Sequence, residues 1–457
     1  MRKILRKCKG NACRAFMRVR HSKYFNYLPT PKINTLDYLL FFVYLAFFSF
    51  FLPRIPFVKK TGLSTRTLTL LFVLKVAAGL AIGWLSLHYY NAGNDYWDVN
   101  REGWKEYQLL LYDPGEYFSN IFRSDYAHGY TGMFDSFQSF WNDLRNNLLI
   151  KMVSVFNIFS GGNYYINSVF FNFFVFFGHV ALYRIFARLF PGRRLLVLAC
   201  CFLLPSTLYF TSGIQKDGIV FLMLALFTYA VFFSLAKMKF NLARLAVIGF
   251  TLGALFLLRN FVCIALLPAA IAWVLCVKMK WRVLPVFLLV YLITGLLFFN
   301  LNSVFPAFNP LETIVKKQSD YLQLPPSVTA IPLDTLRPHF SSFVKNMPQS
   351  FNHLLLRPYL AETPSRLLIP LNIELFLYQL LFIAFLFFRR RPGPGDAVPF
   401  LAFALFFILT VFLFIGYIVP NLGSLVRYRS LYLPFLVTPL ACLIDWGRIG
   451  RGSKIIK

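Results

Sequence analysis

The sequence predicts an all-α, polytopic membrane helix bundle with about ten to twelve transmembrane helices and two larger extracytoplasmic loops. Three observations predict it. The 457-residue chain is 58% hydrophobic and only 14% charged, where soluble domains run near ~45–50% apolar and ~25% charged. Its Lys and Arg fall in short clusters between apolar stretches, as in the cytoplasmic loops of membrane proteins. Two long polar stretches, residues 91–164 and 301–368, interrupt the apolar pattern. The formal charge of +29 therefore fits a membrane topology, and no nucleic-acid motif accompanies it.

The elements follow in order. Residues 1–37 are basic and too long before the first apolar run to form an ordinary cleaved signal, so they are expected to be a cytoplasmic tail. The apolar run 38–53 precedes Arg54, Lys59, Lys60 and Arg66, so both flanks are basic. Segment 38–66 is accordingly expected to be re-entrant or interfacial, with a first crossing as the alternative. Spans are expected at 67–90, 165–190, 195–212, 218–236, 243–258, 260–277, 283–300, 370–388, 397–420 and 431–446, which makes 67–446 one transmembrane domain. Residues 148–160, with Lys151 inside and Ser160-Gly161-Gly162-Asn163 following, read as a helix lying in the interface. Residues 301–368 contain Pro306, Pro310, Pro325, Pro326, Pro332, Pro338 and Pro348, which predicts irregular chain with short helices. Residues 447–457 form a basic tail.

Charge sets the expected orientation. The connections at Arg193-Arg194, Lys237/Lys239/Arg244, Lys278/Lys280/Arg282 and Arg389-Arg390-Arg391 alternate with sparsely basic ones, and the tail carries Arg448, Arg451, Lys454 and Lys457. These five belong on the cytoplasmic side, which puts 91–164, 213–217, residue 259, 301–368 and 421–430 outside. Cys200, Cys201, Cys263, Cys276 and Cys442 lie in apolar spans and behave as small hydrophobes, and neither polar loop holds a Cys.

Four constellations could carry chemistry. Nine of the eighteen acidic residues (Asp95, Asp98, Glu102, Glu106, Asp113, Glu116, Asp125, Asp135 and Asp143) fall within 91–147. Most are simply solvated, but Asp95 follows an apolar span directly, beside Tyr89, Tyr90, Tyr96 and Trp97. A carboxylate there can take a proton from an acceptor hydroxyl while the rings, Tyr96 and Trp97 first, hold a sugar. Asp95, Asp98 and Glu102 share a face if helical and could hold a divalent cation, Mg or Mn, although carboxylates alone signal a metal weakly. The second constellation runs from Pro205-Ser206-Thr207 to Ser212-Gly213-Ile214-Gln215-Lys216-Asp217-Gly218, an apolar span ending in a polar turn with Lys216 at the start of the next helix. Free backbone amides there favour an anion. Arg259 interrupts an apolar stretch and needs either a bound phosphate or a protein carboxylate. Arg427-Tyr428-Arg429 breaks the charge trend in an outer turn, and fixed guanidiniums suit a phosphate leaving group. Lys75 is expected to snorkel to the cytoplasmic surface, and His179 and Glu374 to form hydrogen bonds between packed helices.

Taken together, Asn94-Asp95-Tyr96, the Pro205-Ser206…Ser212-Gly213…Lys216-Asp217 turn and Arg427-Tyr428-Arg429 resemble features of the GT-C superfamily of integral-membrane glycosyltransferases and of the related bacterial polysaccharide polymerases. The resemblance spans most of 67–446 as an ordered set of short motifs. It implies a GT-C-like fold in a bacterial cytoplasmic membrane and a polyprenyl-phosphate-linked sugar donor. It also implies transfer to a glycan or lipid-linked acceptor on the outer face. By position Asp95 matches that family's loop base, with Asp98 the neighbouring candidate. Lys216, Arg259, Arg427 and Arg429 would hold the lipid phosphate, and Tyr428 would join Tyr96 and Trp97 in contacting sugar or acceptor. The sequence lacks a clear Asp-Asp or Asp-x-Asp pair, so no metal ligand is assigned. Two other readings stand beside this one: a polymerase of O-antigen or capsule type, and a transporter or flippase of lipid-linked sugars.

Overall fold

The structure is a computed structural model that describes residues 34–89, 95–123, 129–130, 132–133, 139–306, 309–325, 327–362, 366–391, 393 and 397–452. Most of the basic N-terminal tail, Tyr90, Asn94, Asp125, Asp135, Lys454 and Lys457 lie outside the described residues. The described chain is helical, with only isolated β-bridges besides. Among the described residues eight helices are long and apolar enough to cross a membrane: Thr35–Arg54, Thr65–Tyr89, Tyr164–Leu189, Lys216–Leu235, Leu242–Met279, Val283–Ser303, Ile369–Phe388 and Ala397–Ile418. The chain is thus a multi-pass helical membrane protein. It divides into two compact units, residues 1–44 with 92–167, and residues 45–91 with 168–457.

The run expected to be re-entrant or interfacial is one continuous helix, α1 (Thr35–Phe51), extended by a 3₁₀ turn to Arg54. Its length and composition fit a crossing, which is the alternative the sequence allowed. Next comes α2 (Thr65–Tyr89).

The first unit is built on α3 (Asp95–Tyr112) and α4 (Phe140–Ser160). Two carboxylates in the first turn of α3 complement its helix dipole. Gly103 lets α3 approach α4 closely, since a Cβ there would lie 2.7 Å from the Val153 side chain. Lys151 of α4 pairs with Glu106 of α3 at 2.6 Å, and Ser154 of α4 bonds Tyr117, in the short helix Pro114–Ser119 that follows α3, at 2.8 Å. The segment 148–160 is the second half of α4, and α4 is not among the candidate spans. Gly161 and Gly162 adopt positive φ and end α4, and Asn100 donates to the Gly162 carbonyl at 2.9 Å.

The second unit holds α2 and the helices from α5 onward. The latter are α5 (Tyr164–Leu189, whose first residues belong to the first unit), α6 (Arg194–Phe202), α7 (Pro205–Phe210), α8 (Lys216–Leu235), α9 (Leu242–Met279), α10 (Val283–Val304), α11 (Pro310–Leu322), α12 (Phe340–Leu355), α13 (Ile369–Phe388), α14 (Ala397–Ile418), α15 (Leu422–Ser430), α16 (Leu433–Leu443) and α17 (Trp446–Gly452). Its core is an aromatic lattice: Phe400 contacts Phe186, Phe232 and Trp273, and Trp273 stacks on Phe403 at 4.6 Å. Helix α8 is mostly buried within the bundle, whereas α10 and α13 leave most of their apolar surface exposed, as suits a lipid-facing position.

Two expected spans are corrected. The segment 195–212 is not one helix: α6 stops at Phe202, Leu204 is extended, and α7 begins at Pro205. Proline disfavours helix at the preceding residue and lacks the amide that would continue the ladder. Likewise 431–446 is not one span: the eleven-residue α16, with Pro434 in its first turn and Pro439 inside, ends at Leu443, and α17 starts at Trp446. The expected spans 243–258 and 260–277 are the two legs of α9, which is broken at Arg259 (φ −150°, ψ 81°). The break is sharp. Cys263 Sγ lies 3.8 Å from the Leu252 carbonyl, although eleven residues of straight helix would span ~16 Å. The legs therefore fold back on each other, with Arg259 at the apex.

The basic connections gather at one end of the second unit. Arg188 lies over the Phe233 ring, Arg244 donates to the Phe233 carbonyl at 3.0 Å, and Lys278 lies 4.9 Å from the Phe240 ring. Arg193 reaches the Ile444 carbonyl at 3.5 Å, and Arg390 pairs with Asp445 at 2.5 Å. The start of α8, at Lys216, is about 30 Å away along the twenty residues of that helix. That far end is covered by 301–368, where Leu311, Ile314, Leu336 and Phe343 pack against Tyr417 at the end of α14.

Candidate functional site

A charge cluster occupies this far end of the second unit. Asp217, in the first turn of α8, is fully buried. One carboxylate oxygen pairs with Arg259 at the α9 break, the other with Arg427 on α15. The sequence allowed a phosphate or a protein carboxylate for Arg259, and the structure has the carboxylate. The break at residue 259 places that side chain: a guanidinium on a continuous apolar helix would have faced lipid or core without a partner. Tyr428 lies across the Arg259 guanidinium, 4.3 Å from ring centroid to Cζ. The cluster is not closed off. The Arg427 side chain is 20% exposed while Asp217 is fully covered, and Lys216 and Tyr428 are part-buried. Lys216 adjoins Asp217 in the chain, so three cationic side chains gather around one carboxylate.

Around this cluster the two broken segments meet. Thr207 on α7 donates to the Ser430 carbonyl of α15 at 2.6 Å. Glu374 on α13 supplies what the interrupted helix lacks: its carboxylate accepts from the Ser206 amide at 3.0 and 3.1 Å, from the Ser206 hydroxyl, and from Tyr378. This is the packing hydrogen bond expected of Glu374, with an N-terminal cap as its job. Arg429 points inward and donates to the carbonyls of Leu354 and Arg357, both at 2.8 Å. Burial pulls its guanidinium down to about 10, against the opposite pull of Glu374 and Tyr378, so it stays charged at neutral pH. Arg427 and Arg429 therefore differ in role: one faces the cluster, the other ties the 301–368 chain to α15.

Beneath the 211–217 turn sits Lys75, which does not snorkel. It is buried and donates to the hydroxyls of Thr211 at 3.0 Å and Ser212 at 3.1 Å. The small residue Gly79, one turn along α2, lets Asn172 reach the Ser212 carbonyl at 2.9 Å. His179 Nδ1 bonds the Cys201 carbonyl at 2.6 Å, the helix-packing role expected of it.

The loop candidates lie in the first unit. Asp95 is in the first turn of α3. Asp98 pairs with Arg101 on the helix surface. Tyr96 is buried, and Trp97 stacks on Tyr164 at 4.5 Å, so both rings pack within their own unit. Glu102 pairs with Lys105 at 3.0 Å. Among the described residues no group of three or more His, Cys, Asp or Glu side chains is placed to hold a metal ion.

Sequence reasoning missed Asp217, Lys75 and Glu374 as members of the cluster and its supports. Asp217 adjoins Lys216 and was visible, but its partners lie 42 and 210 residues away. Fold and site together define a multi-pass helical membrane protein with a largely buried Asp–Arg–Arg charge cluster where two broken helical segments meet. No known protein family, no curated protein and no solved structure matches the chain.

Proposed function

We propose that the protein is a membrane glycosyltransferase, GT-C-like in fold, acting on the extracytoplasmic face of a bacterial cytoplasmic membrane. The observation that carries this reading is the part-exposed gathering of Arg259 and Arg427 on the shared carboxylate of Asp217, with Lys216 next to it in the chain. It lies at the end of the second unit remote from the basic connections. Such a cluster suits a lipid-linked phosphate: fixed guanidiniums stabilise charge that grows on a leaving phosphate. In the reaction, an acceptor hydroxyl loses its proton to the Asp95 carboxylate, with Asp98 the second candidate, and attacks the anomeric carbon from the side opposite the phosphate. The carbon–oxygen bond to phosphate breaks with inversion, and its electron pair leaves on the polyprenyl phosphate. Tyr96, Trp97 and Tyr428 are the proposed sugar or acceptor contacts, and a glycan or lipid-linked sugar is the proposed acceptor. A polymerase joining lipid-linked repeat units would use the same groups.

The test is incubation of purified protein with labelled polyprenyl-phosphate sugars and candidate acceptors. Transfer should be lost in Asp95→Asn, and should fall by ~10²–10³ in Arg427→Gln. Transfer at the wild-type rate in both variants would remove the mechanism.

A second reading, a transporter or flippase of lipid-linked sugars, draws support from the breaks themselves. Discontinuous helices such as α6–α7 and α15–α16 often line substrate sites in transporters. Flipping of a lipid-linked sugar in proteoliposomes, undiminished in Asp95→Asn and without any transfer, would favour it.

A further inference from the structure

Helix α12 (Phe340–Leu355) is built inside out. Its buried positions are mainly polar (Ser342, Asn346, Ser350 and His353, with Phe343 and Leu354), while Phe340, Val344 and Met347 are 62%, 45% and 36% exposed. In water this arrangement would be unfavourable, because burying apolar side chains contributes ~1.5–3 kcal/mol each and α12 leaves three of them out. In lipid the preference reverses. Helices there turn apolar side chains outward and pack through small polar residues.

The packing has that second character. Gly416 of α14 meets Ser350 so closely that a Cβ would lie 2.6 Å from the Ser350 carbonyl oxygen. Asn346 and Ser350 satisfy themselves along their own helix, donating to the carbonyls of Ser342 at 2.8 Å and Asn346 at 3.2 Å. The outward face is continuous with a lipid-facing one. Phe340 lies edge-on to Phe299 of α10 at 4.9 Å, and α10 exposes Leu289, Leu292, Leu296 and Leu297 along its length. Past the end of α12 the exposed apolar surface goes on through Leu356, Tyr359 and Leu360. At sixteen residues α12 is ~24 Å long, too short for the ~30 Å core, and Phe343 packs against Tyr417, next to the last residue of α14. It therefore sits at the level where the spans end.

We propose that α12 is a membrane-interface helix whose Phe340/Val344/Met347 face is covered by lipid at the boundary of acyl chains and headgroups. Lys345, also exposed, reaches the headgroups from that position. The C-terminal end of α12 is what Arg429 grips through the Leu354 and Arg357 carbonyls, so lipid seats a helix that in turn fixes Arg429. The inference stands on the membrane topology alone and is independent of the transferase reading.

The test uses full-length protein with Cys8→Ser and Cys13→Ser, carrying a nitroxide at Val344→Cys or, separately, Met347→Cys. It is reconstituted in nanodiscs of phosphatidylethanolamine and phosphatidylglycerol. Reference labels sit at Leu292→Cys on the lipid face of α10 and Glu312→Cys on exposed α11. Collision with oxygen should exceed collision with a water-soluble nickel chelate severalfold at both α12 sites, as at Leu292. Nickel access matching the Glu312 site would overturn the proposal. So would exclusion of both reagents, which would mean that a second copy of the chain covers the face. Labelling at two separate sites guards against one label disturbing the fold.

Discussion

At the residue scale the centre of the molecule is Asp217, a single carboxylate shared by two guanidiniums. Taking three charges out of water is costly, and the arrangement holds because each charge has a partner. Removing the shared one is the harshest change: Asp217→Ala leaves Arg259 buried beside Arg427 with nothing between them. Such a loss typically costs ~3–5 kcal/mol, so the variant should lower the unfolding midpoint in detergent markedly. Arg427→Gln removes a part-exposed partner and leaves Asp217 paired with Arg259, so it should cost clearly less. Equal losses in the two variants would mean that the pair with Arg427 matters structurally as much as the buried one. The sequence exposed half of this arrangement. Arg259 and Arg427 stood out because a guanidinium in apolar or outer-turn surroundings has to be explained. Asp217 sat in a Lys-Asp pair that pointed attention to Lys216. Lys75 was misread because hydropathy registers a charge near a span but not the hydroxyls of Thr211 and Ser212, 136 and 137 residues on.

At the element scale, hydropathy located apolar length well and continuity poorly. It placed Thr65–Tyr89, Lys216–Leu235 and Ala397–Ile418 within a few residues because each is an uninterrupted apolar helix. It also marked Arg259 as the point where one stretch becomes two. It ran α6 into α7 and lengthened α16, since leucines on both sides of a proline read as one span whether or not the helix continues. The polar stretch 301–368 is the clearest case of local signals being overruled. Its prolines predicted short helices, yet α12 spans sixteen residues with Pro348 inside. Within α12, His353 is buried, and that burial, with the Arg357 guanidinium beside it and Asp334 pulling the other way, pushes its pKa down to about 4. An unfolded His titrates near ~6.5. Between those values the unfolded state binds more protons, so stability is fully present above ~6.5 and declines as pH falls toward about 4. Thermal unfolding across this window should show the decline in the wild type and a flatter dependence in His353→Gln. Parallel curves would assign the pH response to other groups.

At the scale of the whole molecule, charge and geometry agree on a polarity within the second unit. The connections around Arg193, Lys239, Lys280 and Arg390 meet at one end with Asp445, and the Asp217 cluster stands at the other. Positive residues are retained on the cytoplasmic side during insertion, so the end carrying four basic connections and the C-terminal tail should be the inner one. The continuous α1 sharpens the question. If it crosses, Lys59, Lys60 and Arg66 would emerge on the side opposite the N-terminal tail, against the charge rule. Single cysteines in intact cells decide this, in a background with Cys8→Ser and Cys13→Ser, because the five other cysteines are buried. Glu312→Cys should react with a membrane-impermeant maleimide from outside. Lys239→Cys and Lys280→Cys should react only after the membrane is opened. Lys60→Cys and Asn34→Cys, on either side of α1, report on it together: protection of both in intact cells means that α1 does not cross, and labelling of one with protection of the other means that it does. Labelling of Lys239→Cys or Lys280→Cys in intact cells would invert the second unit. The Asp217 cluster would then face the cytoplasm, and transfer at the outer surface would be lost with it.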